Sequence, residues 1–389
     1  DLEVRPLGIP VTAVVEAGVE AGKEWSAEIA YPGAPGTNKA SLELSRLPTL
    51  NLGERLAWLI QYPHGCSEQT TSKAFPQLYL PESVALPPER LEEVRRNVSL
   101  AIAKLGDYQT PRGGFTFWPG EGADQDWLSA YVAHFLVAAR RAGYEVRDGV
   151  LDPALAYLAQ GARLWNSRAE WSKSVQAYRL YVLALAGKPE PASMNRFREY
   201  KPFPAAAHYR LAAAYALSGQ REAADSLLRA APASFEVYEG LDEYTYGSPF
   251  RERAAVLEAL NALGDLERGL PVYRQIALEL NEPGRWLSTQ EIGAALSAGL
   301  PYASRASRGE APELLVTAGD GTARRVKLDR AQARIDLDLG EAVSGAYSVK
   351  NLSKTPVFAK VVARGVPAAG QESAVSNGLS ISVGYFDMD

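Results

Sequence analysis

The chain has 389 residues, of which 47% are apolar and 22% charged, and its formal net charge is −5. This composition is that of an ordinary globular protein, and it argues against a general binder of nucleic acid or acidic membranes. The length exceeds what one small core needs, so we expect two or three domains, and no apolar run approaches the roughly 20 residues of a transmembrane helix.

The N-terminal part of the chain has the pattern of β-strands. From about Val11 to Leu47 apolar residues alternate with polar ones, and the turn-rich stretch "YPGAPGTN" interrupts them between Tyr31 and Asn38. This segment is too short to fold alone, because isolated hairpins are marginally stable. We therefore expect its strands to pair with others later in the chain.

The middle of the chain, from Asn51 to about Ser304, has helical periodicity. Apolar residues recur at i, i+3 and i+4 spacing, most clearly at Leu91, Val94, Val98, Ile102 and Leu105 and at Trp171, Val175, Tyr178, Val182 and Leu185. Similar stripes run from Trp127 to Ala139 and from Leu211 to Leu228. Ten to twelve helices in succession predict an all-α domain of antiparallel hairpins.

Strand-like alternation returns beyond Glu310, for example at Ile335, Leu337 and Leu339. The economical interpretation is a β domain interrupted by a large helical insertion. The two junctions, near Leu50 and Ser307, should then lie close together in space. Because the chain opens on Asp1 in mid-pattern, we also expect it to be a piece of a longer protein.

The single cysteine lies in the stretch "YPHGCSEQTTSKAF". One cysteine excludes an internal disulfide, which leaves a buried structural thiol or a reactive sulfur. Pro63 should end the preceding helix, and Gly65 permits a backbone conformation that a side chain would oppose. Cys66 therefore lies on a tight turn. Residues i and i+3 of a turn are within reach, so Cys66 Sγ can meet the side-chain carbonyl of Gln69.

This pairing suggests a specific bond. A thiolate that attacks the Gln69 amide would expel ammonia and leave an intrachain thioester, and Glu68 is placed to handle protons. A thioester acylates amines and hydroxyls, and water hydrolyses it, so such a site must be kept dry. The nearby aromatic side chains that could shield it, or could simply pack in a core, are Trp58, Tyr62, Phe75 and Tyr79.

The stretch "YPHGCSEQT" resembles the GCxEQ thioester motif of the α2-macroglobulin and complement family. Three further segments resemble parts of that family's thioester domain in the expected order: "GGFTFWP" from Gly113, "DWLSAYVAHFL" from Asp126 and "WLSTQE" from Trp286. The resemblance covers essentially the whole chain and is strongest to bacterial α2-macroglobulins.

The resemblance implies an α+β multidomain fold, in which an α/α toroid, the thioester domain, is inserted into an all-β CUB-like sandwich. We accordingly expect the first part of the CUB-like domain at residues 1–49 and the toroid at 50–307. The second part of the CUB-like domain would occupy 308–389 and end at the start of a C-terminal macroglobulin-like domain.

The resemblance also implies a function. The chain would be a fragment of a broad-spectrum protease inhibitor that is not an enzyme but a single-turnover covalent trap. Cys66 and Gln69 would be the bonded pair that acylates lysines of an attacking protease, with Glu68 beside them and Tyr62, Pro63 and Gly65 shielding or positioning the bond. No cofactor, metal or nucleic acid is implied.

The implied partners are target proteases and the other macroglobulin-like domains of the full-length chain. The implied location is the periplasm, as an inner-membrane lipoprotein whose lipid anchor lies outside this chain. A bait region elsewhere would sense proteolysis, so this part alone could not.

Two further features bear on how the bond would react: a segment that lacks the histidine of the hydroxyl-selective complement relatives, and a histidine beside the motif. The segment "LWNSRAEWSKSV" from Leu164 contains no histidine where those relatives carry one, so we expect direct attack by amines, with Asn166 as a candidate polar substitute. His64 lies two residues before Cys66 and is a candidate for assisting proton transfer, or a surface residue without a role.

Three other functions agree less well with the sequence. A cysteine-dependent acyl-transfer enzyme would need a histidine base, but His134 and His208 lie in apolar helical settings, and Gln69 would be unexplained. A cyclase-like α/α-toroid enzyme would need aspartate clusters or a metal site. Asp124 and Asp126 have no neighbouring His or Cys, and Asp126 has the position of a helix N-cap. One tetratricopeptide-like stretch does not recur, which argues against a helical-repeat scaffold.

Overall fold

The computed structural model describes residues 10–50, 52, 59–60, 64–84, 86–120, 122–167, 169–201, 203–231, 247–282, 285–317, 321–330 and 332–368. The chain divides into two compact units. The first takes the residues up to Arg46, those from Pro312 to Asp329 and those from Ala333 onwards. The second takes Leu47–Ala311 with the short stretch 330–332. The fold class predicted from the sequence, a helical unit inserted between two parts of a β unit, is confirmed.

The β unit contains two four-stranded sheets with the orders β1-β8-β3-β6 and β2-β7-β4-β5. Strands from the two ends of the chain interleave, since β1 pairs with β8 and β2 with β7, both antiparallel. The expected pairing of the early strands with strands after residue 310 is therefore observed. The strands are β1 Val11–Val19, β2 Glu24–Ala30, β3 Lys39–Ser45, β4 Glu313–Thr317, β5 Ala323–Lys327, β6 Gln332–Leu337, β7 Ser344–Asn351 and β8 Val357–Gly365.

The core of the β unit lies between its two sheets. In one sheet, Leu42 and Leu44 of β3 are the register partners of Val361 and Ala359 of β8. These four residues belong to a buried cluster that also contains Val316 and other residues of the second sheet. Alternating apolar positions form this cluster because successive side chains of a strand point to opposite faces. The last strand pattern expected from the sequence, around Leu379, lies outside the described residues.

The helical unit contains twelve α-helices within the described ranges. They are α1 Ser67–Gln77, α2 Leu80–Ser83, α3 Pro88–Leu105, α4 Asp126–Arg141, α5 Asp148–Leu164, α6 Glu170–Leu185, α7 Pro191–Arg198, α8 Ala205–Leu217, α9 Arg221–Arg229, α10 Pro249–Leu263, α11 Leu266–Asn281 and α12 Thr289–Ala306. The apolar stretch from Leu211 to Leu228 forms two helices rather than one, because Gly219 adopts φ +77° between them.

Six of these helices form a closed inner ring. Helix α1 packs on α4, and the contacts continue through α6, α8, α10 and α12 back to α1. The other long helices lie outside, with α3 on α1, α5 on α4 and α6, and α11 on α10 and α12. Helix α8 is buried on all its sides along Ala205–Tyr215, as expected for an inner helix that is covered on both faces.

The inner helices run in parallel. A cavity of about 520 Å³ is lined by residues near the C-terminal ends of all six, among them Leu78, Arg141, Leu185, Leu217, Asn261 and Pro301. Their N-terminal ends therefore gather at the opposite end of the ring, where Cys66 precedes α1. In the described part of the chain, no helix has the length and apolar character needed to cross a membrane.

Candidate functional site

Cys66 and Gln69 hold each other at the start of α1. Cys66 is the N-cap residue, in an extended conformation with φ −69° and ψ 173°. The N–H of Gln69 donates to Cys66 Sγ at 3.5 Å, and Gln69 Oε1 accepts the N–H of Cys66 at 3.3 Å. This reciprocal arrangement is a capping box, in which the N-cap and N3 side chains each satisfy the other residue's free backbone donor. The structure thus brings the predicted pair together.

Gly65 shapes the turn that carries Cys66. Its φ is +106°, a conformation that side-chain-bearing residues rarely adopt. A Cβ at this position would lie 2.1 Å from Gln69 Oε1, so the glycine also makes room for the Gln69 amide. The Gly65 carbonyl accepts hydrogen bonds from Tyr108 Oη at 2.9 Å and Lys104 Nζ at 3.2 Å. Lys104 and Tyr108 are positioning residues that the sequence did not reveal.

The "GGFTFWP" segment packs directly against this turn. The N–H of Ser67 donates to the carbonyl of Phe117 at 3.0 Å, and Ser67 Oγ donates to the carbonyl of Thr116 at 2.7 Å. Thr116 Oγ1 in turn donates to the carbonyl of Trp118 at 2.8 Å. The segment therefore satisfies a donor of the first turn of α1 and fixes the position of the Cys66 backbone.

Glu68 points away from solvent and is buried. Its Oε1 accepts a hydrogen bond from Ser72 Oγ at 2.6 Å, and Ser72 Oγ lies 3.0 Å from Tyr131 Oη of α4. Burial raises the pKa of Glu68, while the Ser72 hydrogen bond and the charge of Arg251 act in the opposite direction. Two residues before Glu68, burial also raises the pKa of the Cys66 thiol, so the thiol keeps its proton near neutral pH.

The remaining predicted site residues have different outcomes. Tyr62 and Pro63, with Trp58, lie outside the described residues. His64 is exposed, and its Nε2 lies 3.5 Å from Lys73 Nζ. Asn166 is exposed between α5 and α6, and none of the hydrogen bonds among the described residues joins it to Cys66 or Gln69.

The aromatic side chains proposed as shields include one that lies in the core. Phe75 is buried inside the ring, where its ring centroid is 4.8 Å from that of His134. Tyr79 lies beyond the C-terminal end of α1 and lines the cavity there. Phe75 and Tyr79 are both more than two helical turns along the chain from Cys66, because one turn takes about 3.6 residues.

The residues on which the enzymatic alternatives depend are engaged elsewhere. His134 Nδ1 lies 3.1 Å from Tyr178 Oη, and His208 Nε2 donates to the carbonyl of Leu227 at 2.7 Å. Asp126 is the first residue of α4 rather than its N-cap, which is Gln125. Its carboxylate contacts Arg179 at 2.5 Å and Tyr157 Oη at 2.9 Å. Within the described ranges, no group of three or more His, Cys, Asp or Glu side chains could hold a metal ion.

Comparison with known proteins adds independent findings. Residues 44–164 match the family model of the A-macroglobulin TED domain. The chain is 29% identical over 314 residues to the α2-macroglobulin of Escherichia coli K12. This match covers 75% of this chain and 19% of that protein. The segment that carries the Cys66–Gln69 turn is therefore similar to a TED domain.

Two solved structures share the fold. Native E. coli α2-macroglobulin from domain MG7 to the C-terminus superposes with a TM-score of 0.72 at 23% identity, covering 95% of this chain and 59% of that one. Salmonella α2-macroglobulin reacted with methylamine superposes with a TM-score of 0.70 at 25% identity, covering 96% of this chain and 25% of that one. The resemblance to α2-macroglobulins that the motifs indicated is confirmed. The chain spans about a fifth of the length of the E. coli relative.

Proposed function

We propose that Cys66 and Gln69 form an intrachain thioester and that this chain is the thioester-bearing part of a protease inhibitor. The observation that carries the proposal is the reciprocal contact of the two residues at the start of α1. Gly65, with no side chain, leaves the space that the Gln69 amide occupies. A pair held in contact needs little reorganisation to react.

The bond would form without any external reagent. Cys66 Sγ attacks Cδ of Gln69, the C–N bond breaks, and the amide nitrogen leaves as ammonia with the thiol proton. A neutral amine reverses the chemistry: its nitrogen attacks Cδ, the C–S bond breaks, and the proton lost by the amine converts the sulfur to a thiol. The products are a substituted amide at position 69 and a free thiol at Cys66.

Amines, and lysine side chains above all, are the proposed targets. His64 is exposed, while His134 and His208 are buried and bonded elsewhere, which supports direct attack rather than transfer through an acyl-imidazole. The related Salmonella structure is described as reacted with methylamine, a small amine. Because the acyl group is consumed, each molecule would react once, as a covalent trap rather than as an enzyme.

The resemblance to α2-macroglobulins suggests the wider context of the site. We propose that attacking proteases are the captured partners, that further macroglobulin-like domains of a longer chain shield the bond, and that the β unit is a CUB-like domain. A periplasmic location with a lipid anchor outside this chain completes the proposal. The match to the TED-domain family model and the small share of the E. coli relative that this chain spans support this context.

Incubation with isotope-labelled methylamine tests the proposal. We expect one label per chain, mapped to residue 69, with release of one titratable thiol at Cys66. Cys66→Ser and Gln69→Glu are the matched controls, because each keeps a side chain that can complete the capping box but cannot form the thioester. Equal labelling of the wild type and both controls would refute the proposal.

A further inference from the structure

We propose that the centre of the helical ring binds a small monovalent anion, of which chloride is the commonest, in a cavity lined by Arg210, Arg251 and Ser297. The bound anion balances positive charge at the centre of the ring and stabilises the folded state. Neither Cys66 nor Gln69 lines this cavity, so the anion site is independent of the proposed thioester.

The cavity has a volume of about 30 Å³, and each of the six inner helices contributes to its wall. Small side chains leave the space open, because Ala254 and Ala255 of α10 and Ala294 of α12 lie where longer side chains would fill it. One water molecule needs roughly 10–15 Å³, so the cavity holds about two waters or one monatomic ion. Glu258 and Ser297 also line the cavity of about 520 Å³ at the C-terminal ends of the ring, which offers a route of entry.

Two buried polar atoms on the cavity wall have no hydrogen-bond partner among the described residues. They are Arg210 Nε and Ser297 Oγ. The Arg210 side chain is 9% exposed, so bulk water does not solvate it freely. A buried donor without an acceptor is costly, and in folded proteins such a group is nearly always satisfied by protein, by ordered water or by an ion. The cavity is where that acceptor would lie.

Positive charge exceeds negative charge among the described residues of the cavity wall. Arg210 and Arg251 are cations, and Glu258 is the one carboxylate there. Both oxygens of Glu258 are engaged, since Oε2 accepts from Arg210 Nη2 at 3.2 Å and Oε1 lies 3.3 Å from His134 Nδ1. Burial, together with the charge of Arg210, lowers the pKa of Arg251 to about 10, as expected for a cation whose charge is incompletely balanced.

Two further carboxylates lie near Arg251 but not on the cavity wall. Glu68 Oε1 accepts from Ser72 Oγ at 2.6 Å, and Glu252 Oε2 accepts from the N–H of Ala206 at 3.1 Å. Burial raises the pKa of both carboxyl groups, which makes them weaker counterions. An anion in the cavity would supply the missing negative charge.

The stacking of both guanidinium groups favours an anion over water. The Arg210 guanidinium lies 3.8 Å from the centre of the Tyr178 ring, and that of Arg251 lies 4.4 Å from the centre of the Trp127 ring. A cation–π contact uses the face of the guanidinium, so the N–H groups at its edge stay free to donate to other acceptors. An anion accepts from several donors at once, whereas water must also find acceptors for its own two hydrogens.

Thermal unfolding in sodium chloride and in sodium gluconate, compared at equal ionic strength, tests the inference. Gluconate is too large for the cavity. A ligand that binds only the folded state stabilises it more as its concentration rises above Kd, so the Tm should rise as chloride replaces gluconate. Ser297→Ala should need about tenfold more chloride for the same rise, the size of one hydrogen bond to a charged group. Arg251→Gln should lose the rise altogether.

Ser174→Ala and Arg253→Gln are the matched controls. Ser174 Oγ is also buried without a partner among the described residues, but Ser174 does not line the cavity. Arg253 lies on the same helix as Arg251 and pairs with Glu279 instead. Both variants should keep the full chloride response, even where the substitution itself lowers the Tm.

A crystal of the wild-type protein grown in sodium bromide shows the site directly. We expect an anomalous bromide peak in the cavity between Arg210 and Arg251. This experiment needs no variant, so it decides the question even if Arg251→Gln fails to fold. A cavity that holds only water in the bromide crystal, or a wild-type Tm that is equal in chloride and gluconate, would overturn the inference and leave the proposed thioester untouched.

Discussion

The N–H of Cys66 donates to Gln69 Oε1 at 3.3 Å, while the N–H of Gln69 donates to Cys66 Sγ at 3.5 Å. The spacing that the proposed bond requires is therefore the spacing of a helix capping box. The helix N-terminus serves both purposes, since it fixes the two side chains and places its partial positive charge beside the sulfur. Formation of the first turn of α1 brings the two side chains into contact.

This dual role predicts that capping and chemistry can be separated. Serine is a preferred N-cap residue, so Cys66→Ser should keep or increase the free energy of unfolding. Cys66→Ala removes the cap and should cost about 1 kcal/mol, with the fold intact. Urea unfolding followed by circular dichroism measures both. A Cys66→Ser variant that unfolds under native conditions would show instead that the thiol is a structural core group.

Gly65 should be irreplaceable for the chemistry. Gly65→Ala combines strain at φ +106° with a close contact to Gln69 Oε1, so we expect a stability loss of about 1–3 kcal/mol and no thiol release with methylamine. Gly143→Ala is the control, since Gly143 has φ +89° but open space around its Cα. It should lose stability and still release the thiol. Equal thiol release by the two variants would argue against the proposed role of Gly65.

The contact of α12 with α1 predicts a second sensitive glycine. In Gly293→Ala the new methyl group meets the Ser72 backbone, which cannot rotate away, so the free energy of unfolding should fall by about 1–3 kcal/mol. Gly149→Ala, in the first turn of α5 with no atom within 4 Å of the added Cβ, should be neutral or stabilising by up to about 1 kcal/mol. Equal unfolding midpoints of both variants in urea would show that the close approach is not required.

His208 predicts a pH dependence of stability. Burial lowers its pKa in the folded state, outweighing the hydrogen bond to the Leu227 carbonyl. The unfolded chain therefore binds the proton more readily, and the contribution of His208 to stability is lost as pH falls below about 6.5. The stability difference between the wild type and His208→Gln should be smaller at about pH 5.5 than at about pH 7.5.

The comparison with His208→Gln isolates this one group. His134 also has a lowered pKa, and Glu68 and Glu252 have raised ones because of burial, but all three are present in both proteins. Their effects on the pH dependence of the free energy of unfolding are the same in both proteins and cancel when the two are subtracted, as expected for separate sites. Urea unfolding at the two pH values provides the measurement, and a difference that does not change with pH would contradict the assignment.

The sequence predicted the local parts of the site and missed the distant ones. Cys66 and Gln69 meet because a turn brings i and i+3 together, which needs no knowledge of the rest of the fold. Lys104 and Tyr108 reach the Gly65 carbonyl from 39 and 43 residues away. Those contacts depend on how α3 folds back on α1, and no local pattern encodes that geometry.

The helices and strands show the same contrast between local features, which the sequence predicted, and distant contacts, which it did not. The periods of two and 3.6 correctly separated the β unit from the helical unit, and they indicated that early strands pair with late ones. The interpretation of Asp126 as an N-cap was wrong by one residue, because an acidic residue is also favoured in the first turn of a helix. Its carboxylate is held by Arg179, a contact between two elements that the sequence could not reveal.

The intact mass of the freshly purified protein tests the central claim most directly. If Cys66 and Gln69 are joined, the mass is one ammonia lower than the sequence requires, no thiol titrates before denaturation, and methylamine adds one molecule while releasing one thiol. Glutamate at position 69 with a free thiol would record a bond that formed and was hydrolysed. The full sequence mass with an unmodified Gln69 and a free Cys66 thiol, unchanged by methylamine, would contradict the claim.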